Sequence, residues 1–375
     1  FFFKQKTAYE IPKRDWSSDV CSSDLADRHD AGPMTAPRAI RAALAAAALL
    51  VAALAAYHAS LAAPFTFDDR PAIERNPSLR RLWPPSGPLS PPVTAAGAAG
   101  RPLVNLSLAL NHAAGGLDPA GYRLTNIVLH AAAAALLLLL LRETLLRTRF
   151  RGSAGSLAAV CSLLWLLHPL QSESVVCVVQ RNEILVAIFY LLTLLGLARS
   201  ASSPRPLAWQ AAAVVSAFLG VASKELMATA PLVALLYDRH FLATSWREVW
   251  QRRRGLHAAL AASWLPLAWL MLRNDQRAGT VGFGLGVDSW TYLLTQADAI
   301  TTYLRLTLWP HPLIVDRGVA LAGGIGEVWP QGLLVVGLLG GTAAALVRAP
   351  RAGVDRKSTR LNSSHVSESR MPSSA

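Results

Sequence analysis

The chain is short of charge, of cysteine and, over most of its length, of lysine. Charged residues make up 16% of its 375 residues, where an ordinary soluble domain carries about 25%. That deficit argues against a water-soluble fold. The three cysteines are Cys21, Cys161 and Cys177. They form no CxxC pair and share no Cys/His ligand spacing, so neither a disulfide framework nor a structural metal site is expected. No basic patch is interleaved with aromatics, and the net charge of +13 is carried in short segments between apolar ones. Nucleic-acid binding is therefore not expected.

The lysines divide the chain. Lys4, Lys6, Lys13 and Lys357 lie near the ends, and the interior holds Lys224 alone. The segments from Phe1 to about Leu25 and from Arg356 to Ala375 are polar and rich in Ser, Asp and Lys, whereas the interior is rich in Ala, Leu and Arg. Both ends resemble translated sequencing-adapter read-through, and no fold or function is placed on them. Met34, ahead of Arg38 and Arg41, is read as the true start, and the far end as a truncation. The expected divisions are 1–33 as an adapter-like leader, 34–63 as a first membrane helix, 64–123 as a first external loop, 124–349 as a helical bundle and 350–375 as an adapter-like tail.

What is present is apolar: 53% of the residues are hydrophobic. Several runs approach or exceed the 18 or so residues that mark transmembrane helices. The expected fold class is all-α, a polytopic transmembrane helical bundle with a long first external loop. The segment Ala42–Ala63, about 22 residues, is long enough for a hydrocarbon core of roughly 30 Å. It exceeds the 7–15 apolar residues of a cleaved signal peptide, so it reads as an anchor. Arg38 and Arg41 place its start in the cytoplasm. Further spans are expected at Leu124–Leu141, Leu157–Leu167, up to Leu197, Leu207–Ala222, Leu226–Tyr237, Ala258–Leu272 and Gly332–Val347. Arginines follow the second, fourth and sixth and mark a cytoplasmic face. Trp290–Trp309 carries Asp298 and Arg305 and fits either a span or a surface helix. Pro102–His112 is read as an interfacial helix rather than a strand, because lone strand edges are rare beside a bilayer. Gly282, Gly284 and Gly286 form a GxGxG without a strand-to-helix setting, so dinucleotide binding is not expected.

The candidate chemistry lies on the other face. Asp68, Asp69, His168, Glu173, Arg181, Glu183, Lys224 and Glu225 all fall at or just inside the expected external helix ends. Ionisable groups in a membrane segment cost roughly 2.5–3.5 kcal/mol each on insertion scales, so they line a cavity or meet one another. Asp68 and Asp69 follow the first span directly. Carboxylates held near a bilayer surface can have raised pKa values and take a proton from a hydroxyl; a helix cap is the simpler role. Arg181 suits a phosphate through its fork, or else a buried pair with a carboxylate such as Glu173. Lys224 suits a phosphate, or a snorkelling pair with Glu225. His168 reads as an interfacial cap before Pro169, and His130 as a packing hydrogen-bonder.

Five segments occur in order: FDDRPAI (Phe67–Ile73), RPLVNLSLALNHAAGGLDPAGYRLTNIVLH (Arg101–His130), LHPLQSESVVCVVQRNE (Leu167–Glu183), SKELMATAPLVALLYDRHF (Ser223–Phe241) and QADAITTYLRLTLWP (Gln296–Pro310). As a set they resemble the bacterial relatives of the transmembrane and tetratricopeptide-repeat O-mannosyltransferases, which are glycosyltransferases of the GT-C fold. The resemblance implies an inverting transfer of a sugar, typically mannose, from a polyprenyl-phosphate donor to a protein Ser or Thr hydroxyl. It implies a multi-pass protein of the bacterial inner membrane with its site facing outward. Asp68 and Asp69 match the family's acidic pair, one of them the base. Charge and position then suggest Arg181 and Lys224 for the departing lipid phosphate, with His168, Glu173, Glu183 and Glu225 in support. No cofactor is implied and the metal requirement is open. The family's later spans and repeats are not seen, consistent with truncation. A transporter or lipid-carrier translocase and a non-catalytic membrane scaffold are the alternatives. The first would show two matched halves with broken helices, and none is visible.

Overall fold

The computed structural model describes residues 38–273, 288–314 and 321–348. The adapter-like ends, Cys21, Met34 and the Gly282–Gly284–Gly286 run lie outside those residues. The chain divides into a unit ending at Leu44 and a second from Ala45 onward, and the second carries the helical bundle. Among the described residues every regular element is helical.

The principal helices are α1 (Arg38–Tyr57), α2 (Pro102–Gly115), α3 (Pro119–Leu145), α4 (Ala154–Leu167), α5 (Arg181–Ser200), α6 (Pro206–Val221), α7 (Ala230–Tyr237), α8 (Trp246–Ala261), α9 (Trp264–Arg273), α10 (Ser289–Leu308) and α11 (Ile325–Arg348). Their starts follow local chemistry. Proline opens α2, α3 and α6, where a missing N–H costs nothing. Asp118 caps α3 by accepting from the Ala120 amide, and Ser245 caps α8 by accepting from the Glu248 amide. The segment expected as an interfacial helix is helical over Pro102–Gly115.

Among the described residues five helical stretches are long and apolar enough to cross a bilayer: Ile40–Ala62, Pro119–Leu145, Val178–Ser200, Trp246–Leu272 and Ile325–Arg348. A sixth is formed if Arg151–Leu167 and Pro169–Val176, bent by 53°, count as one span. The protein is thus an all-α, multi-pass membrane protein. The expected span Leu207–Ala222 is a helix of 16 residues. Its successor, Leu226–Tyr237, divides into a 3-10 turn over Glu225–Thr229 and an eight-residue helix.

Two ends of the bundle differ chemically. At the arginine end, Arg147 donates to the Ala198 carbonyl and to Ser202. Thr144 meets the Tyr237 hydroxyl at 2.6 Å, and Arg199 lies over the Trp209 ring. His240 contacts the Leu346 carbonyl at 3.4 Å, which places the end of α11 and Arg348 there. At the other end, the turn before α5 meets the first loop, and the Leu103 amide donates to the Ala222 carbonyl. Helices α5 and α6 cross closely at Gly196, where a Cβ would stand 2.8 Å from the Trp209 carbonyl oxygen. Around that crossing Leu140, Leu194, Leu197, Ala213, Ala217 and Leu260 form the main core.

Helix α10 settles an ambiguity of the sequence. It is not among the stretches apolar enough to span. Its Thr307 carbonyl accepts from His168 on the turn after α4, at 3.1 Å. Its Thr295 and Asp298 meet Ala322 and Gln331, just before and within the first turns of α11. Both parts of α10 therefore stay at the end opposite the arginines. Helix α11 then runs from that end to the arginine end, where His240 meets the Leu346 carbonyl near Arg348.

One buried ion cluster lies at the arginine end. Asp238 accepts from Arg253 through two bonds of 2.7 and 2.6 Å and from His257 at 2.8 Å. Arg253 has φ −134°, a break within α8, so the cluster holds the kink where the basic start of α8 turns into its apolar part. Asp238→Ala would leave two buried donors unpaired and should cost about 3–5 kcal/mol, measured as a lowered midpoint of thermal unfolding in detergent.

Candidate active site at the acidic loop

The site is built on the loop that comes after α1. Phe65, Ala72, Ile73 and Leu79 of this loop pack against Val104, Leu108, Tyr122, Val178 and Val179. The loop is therefore a small folded unit rather than a tether. Two carboxamides hold it from inside. Asn76 donates to the Ala72 carbonyl at 2.9 Å and to Asn105 at 2.8 Å, while accepting from Ser78. Asn105 donates to Ser78 and to the Pro88 carbonyl. Buried amides satisfied on every side favour one loop conformation.

Asp68 and Asp69 occupy different environments. Asp69 is wholly buried, and its Oδ1 accepts from the Val179 amide at 2.8 Å. Burial pushes its carboxyl above the ordinary value, while the Val179, Val178 and Thr66 amides and the more distant Arg123 charge pull the other way. Its Oδ2 is buried without a hydrogen-bond partner among the described residues. Asp68 is exposed. Phe67 has φ 45°, in the left-handed region that costs a bulky residue energy. That turn sets the two neighbouring carboxylates on opposite sides, one into the bundle and one outward.

The receiving surface is the turn from Glu173 to Arg181. Gly97 comes so close to it that a Cβ would stand 2.6 Å from Val179 Cγ2, and its φ of +71° also requires glycine. Arg123, buried on α3, donates to the Val176 carbonyl at 3.1 Å and to the Ala63 and Pro64 carbonyls. One guanidinium thus ties the end of the first span to the turn. Asn126, one helical turn on, donates to the Val175 carbonyl at 3.2 Å.

Arg181 is also fully buried. It donates to Asn126 Oδ1 at 2.7 Å, to the Ser107 carbonyl at 3.0 Å and to the Tyr122 carbonyl at 3.0 Å. No carboxylate lies within ion-pairing distance of it among the described residues, although Asp69 acts on it through space. Its donors are engaged by protein groups on α2 and α3, and they bind those helices to α5.

Beside it stands a cluster of four charges. Lys224 pairs with Glu183. Arg101 pairs with Glu225 at 3.2 Å and donates to the Gly97 carbonyl at 2.6 Å. All four side chains are partly exposed. Burial lowers the Arg101 pKa, and the Glu183 charge raises it. The cluster fastens the end of the loop to α5 and to the turn after α6. Asp69, Arg181, Glu183, Lys224 and Glu225 therefore converge around the start of α5.

His168 and Glu173 lie earlier in the connection from α4 to α5, and no hydrogen bond or ion pair between the described residues joins them to the four-charge cluster. His168 Nδ1 accepts from the Leu170 amide, so Nε2 carries the proton donated to Thr307. Glu173 is exposed and accepts from Gln180 at 3.3 Å. Cys177 stands between Glu173 and the acidic pair; burial, then Asp69, Glu173 and Asp68, push its thiol pKa up, with Arg123 opposing. The same region holds His130, whose Nε2 donates to the Leu166 carbonyl at 3.0 Å while its ring packs against Tyr57 and Trp165. Among the described residues no three His, Cys, Asp or Glu side chains are placed to hold a metal ion.

Sequence reasoning passed over Arg101, Arg123, Asn126, Asn76 and Asn105. Arg123 carried a usable signal, since an arginine just inside an apolar helix must find partners. The carboxamides carried none, because their partners are backbone carbonyls and each other.

Protein O-mannosyl-transferase Tmtc2 of Drosophila melanogaster is 31% identical to the chain over 294 residues, 73% of the chain and 30% of that protein. Protein O-mannosyl-transferase Tmtc1 of the same fly is 28% identical over 326 residues, 77% of the chain and 36% of that protein. Protein O-mannosyl-transferase TMTC2 of Homo sapiens is 32% identical over 199 residues, 49% of the chain and 23% of that protein. The chain spans about a third or less of the length of these curated relatives. No family model matches the chain, and no solved structure does.

The two faces of Asp69 generate a prediction. Asp69→Ala should leave the Val179 amide buried and unpaired and cost about 1–3 kcal/mol. Asp69→Asn keeps an acceptor there and should cost less. A carboxyl whose folded pKa is raised stabilises the fold when protonated, and loses that contribution as pH rises through the folded value. The melting temperature of the parent should therefore fall as pH rises above the ordinary carboxyl value of 3.8, and Asp69→Asn should lack that component. Thermal melts across pH measure both.

Proposed function

Since the chain is a relative of the TMTC protein O-mannosyl-transferases, we propose that it carries the catalytic loop and donor-facing helices of a membrane glycosyltransferase acting on proteins. The donor in this reading is a polyprenyl-phosphate sugar, with mannose favoured by the relatives' names, and the acceptor is a Ser or Thr hydroxyl. The bundle lies in a bacterial cytoplasmic membrane with the acidic loop outside.

Asp68 is the general base. The observation that carries this is the split environment of the acidic pair: Asp69 is spent on the Val179 amide, and Asp68 is exposed beside it. The acceptor oxygen attacks the anomeric carbon as the bond from that carbon to the phosphate oxygen breaks. The hydroxyl proton passes to Asp68, and the lipid phosphate leaves with the electron pair. Attack from the face opposite the leaving group inverts the anomeric centre. Asp69 positions the base by fixing the loop to the start of α5.

Lys224 is the cation for the departing phosphate, partly exposed and paired with Glu183. Arg181 contributes differently from a direct ligand. Its donors hold three helices together, so it supplies fixed positive charge behind the site and anchors Asn126. Preorganised charge of this kind stabilises a developing anion without reorganisation.

Asp68→Asn should lower mannose transfer from a polyprenyl-phosphate donor to a Ser/Thr peptide by about 100-fold or more, with donor binding retained. Full transfer by Asp68→Asn would rule the mechanism out. Lys224→Met should weaken donor binding about 10- to 100-fold, equivalent to a charge-assisted hydrogen bond of about 1.5–3 kcal/mol. Titration of the purified protein with the donor reads that change.

A further inference from the structure

Helix α10 carries two opposed stripes. Thr291, Thr295, Asp298, Thr302 and Arg305 recur at helical spacing on one side. Trp290, Leu293, Ile300, Leu304 and Leu308 recur on the other. The contacts show which side faces the protein: Thr295 Oγ1 accepts from the Ala322 amide at 3.1 Å, and Asp298 accepts from Gln331 at 3.2 Å. The polar stripe therefore faces the start of α11, and the apolar stripe faces away. Trp290 is 56%, Leu293 59% and Leu308 85% exposed. This is the reverse of a helix packed on a water-soluble core, where the apolar stripe faces inward.

We propose that α10 lies in the plane of the membrane interface, with its apolar stripe inserted among lipid acyl chains on the side of the acidic loop. The neighbour argues for lipid as the occupant. Helix α11, against which α10 packs, is itself long and apolar enough to span, and its Leu333, Val336 and Leu339 are exposed. The apolar stripe of α10 is exposed in the same way. Its end is held at the level of the acidic loop by the bond from His168 to Thr307. Trp290 and Trp309 at its two ends suit the headgroup region, where amphipathic rings collect. A helix of this amphipathic kind lies in the interface with its apolar face a few ångströms below the headgroups. Lipid contact along this stripe is independent of any transferase activity.

Depth can be measured directly. Spin labels are placed at Leu293→Cys, Leu304→Cys and Arg305→Cys, one at a time, in the full chain with its three cysteines changed to serine, reconstituted in phosphatidylcholine–phosphatidylglycerol liposomes. Collision with oxygen, which concentrates in acyl chains, is compared with collision with a water-soluble nickel chelate. The labels at 293 and 304 should show a several-fold higher oxygen-to-nickel ratio than the label at 305. Equal ratios at all three positions would place the stripe in water and overturn the proposal. Low collision with both reagents at 293 and 304 would place it under protein and overturn it equally. Circular dichroism of each labelled protein confirms the fold, and these exposed positions can be replaced without emptying the core.

Discussion

A carboxylate removed from water must find hydrogen bonds, and Asp69 finds one in the backbone amide of Val179. Much of the site's arrangement depends on that bond. It joins a loop near the end of the first span to a turn more than a hundred residues later in the chain. The turn in question is the one from which α5 departs. Once the loop is fastened there, the exposed Asp68 stands beside a fixed neighbour, and its charge reaches Cys177 on the same turn. Arg123 reinforces the same junction from α3 by gathering carbonyls from both partners. Gly97 permits it, since a larger residue would meet Val179. The fold thus spends its most costly buried groups on holding an irregular loop still at a membrane surface.

This arrangement distinguishes groups that hold from groups that act. Arg181 and Arg123 have the chemistry of phosphate ligands and the surroundings of structural clamps: both are buried, and most of their donors end on carbonyls. Lys224, Glu183, Arg101 and Glu225 are different. They are partly exposed and pair across elements. Their pairs can be remade around an incoming anion at little cost, because partly exposed ion pairs contribute only about 0–1 kcal/mol. The cluster thus holds its cations in place yet leaves them partly exposed. The opposite end of the bundle shows the contrasting solution. There Asp238 is paired with Arg253 and hydrogen-bonded to His257, at the break within α8.

The helical architecture was legible in the sequence because apolar runs and arginine clusters report directly on a bilayer. That charged residues at helix ends would gather was legible too, since such groups are costly enough to imply partners, and Lys224 meets Glu183 across elements. The division of labour within the site was not. Asp68 and Asp69 are adjacent in an irregular turn, and no periodicity tells which of them enters the bundle. That depends on the left-handed turn at Phe67 and on Val179. Arg181 was expected to seek phosphate or carboxylate, and its partners are the carbonyls of Ser107 and Tyr122 with Asn126; carbonyl partners leave no mark in a sequence. The level of α10 depends on contacts with His168 and with residues around the start of α11, which no local pattern reveals. The Asp238–Arg253–His257 cluster was hidden because nothing in the run of arginines after the sixth span shows which of them turns inward to Asp238.

Two neighbouring carboxylates with different surroundings should react differently, and chemical modification tests that most directly. Native membranes carrying the protein can be treated with a water-soluble carbodiimide and an amine, and the modified peptide sequenced by fragmentation between residues 68 and 69. Amide formation at Asp68 with protection of Asp69 is the predicted result. Equal modification of both, or preferential modification of Asp69, would contradict it.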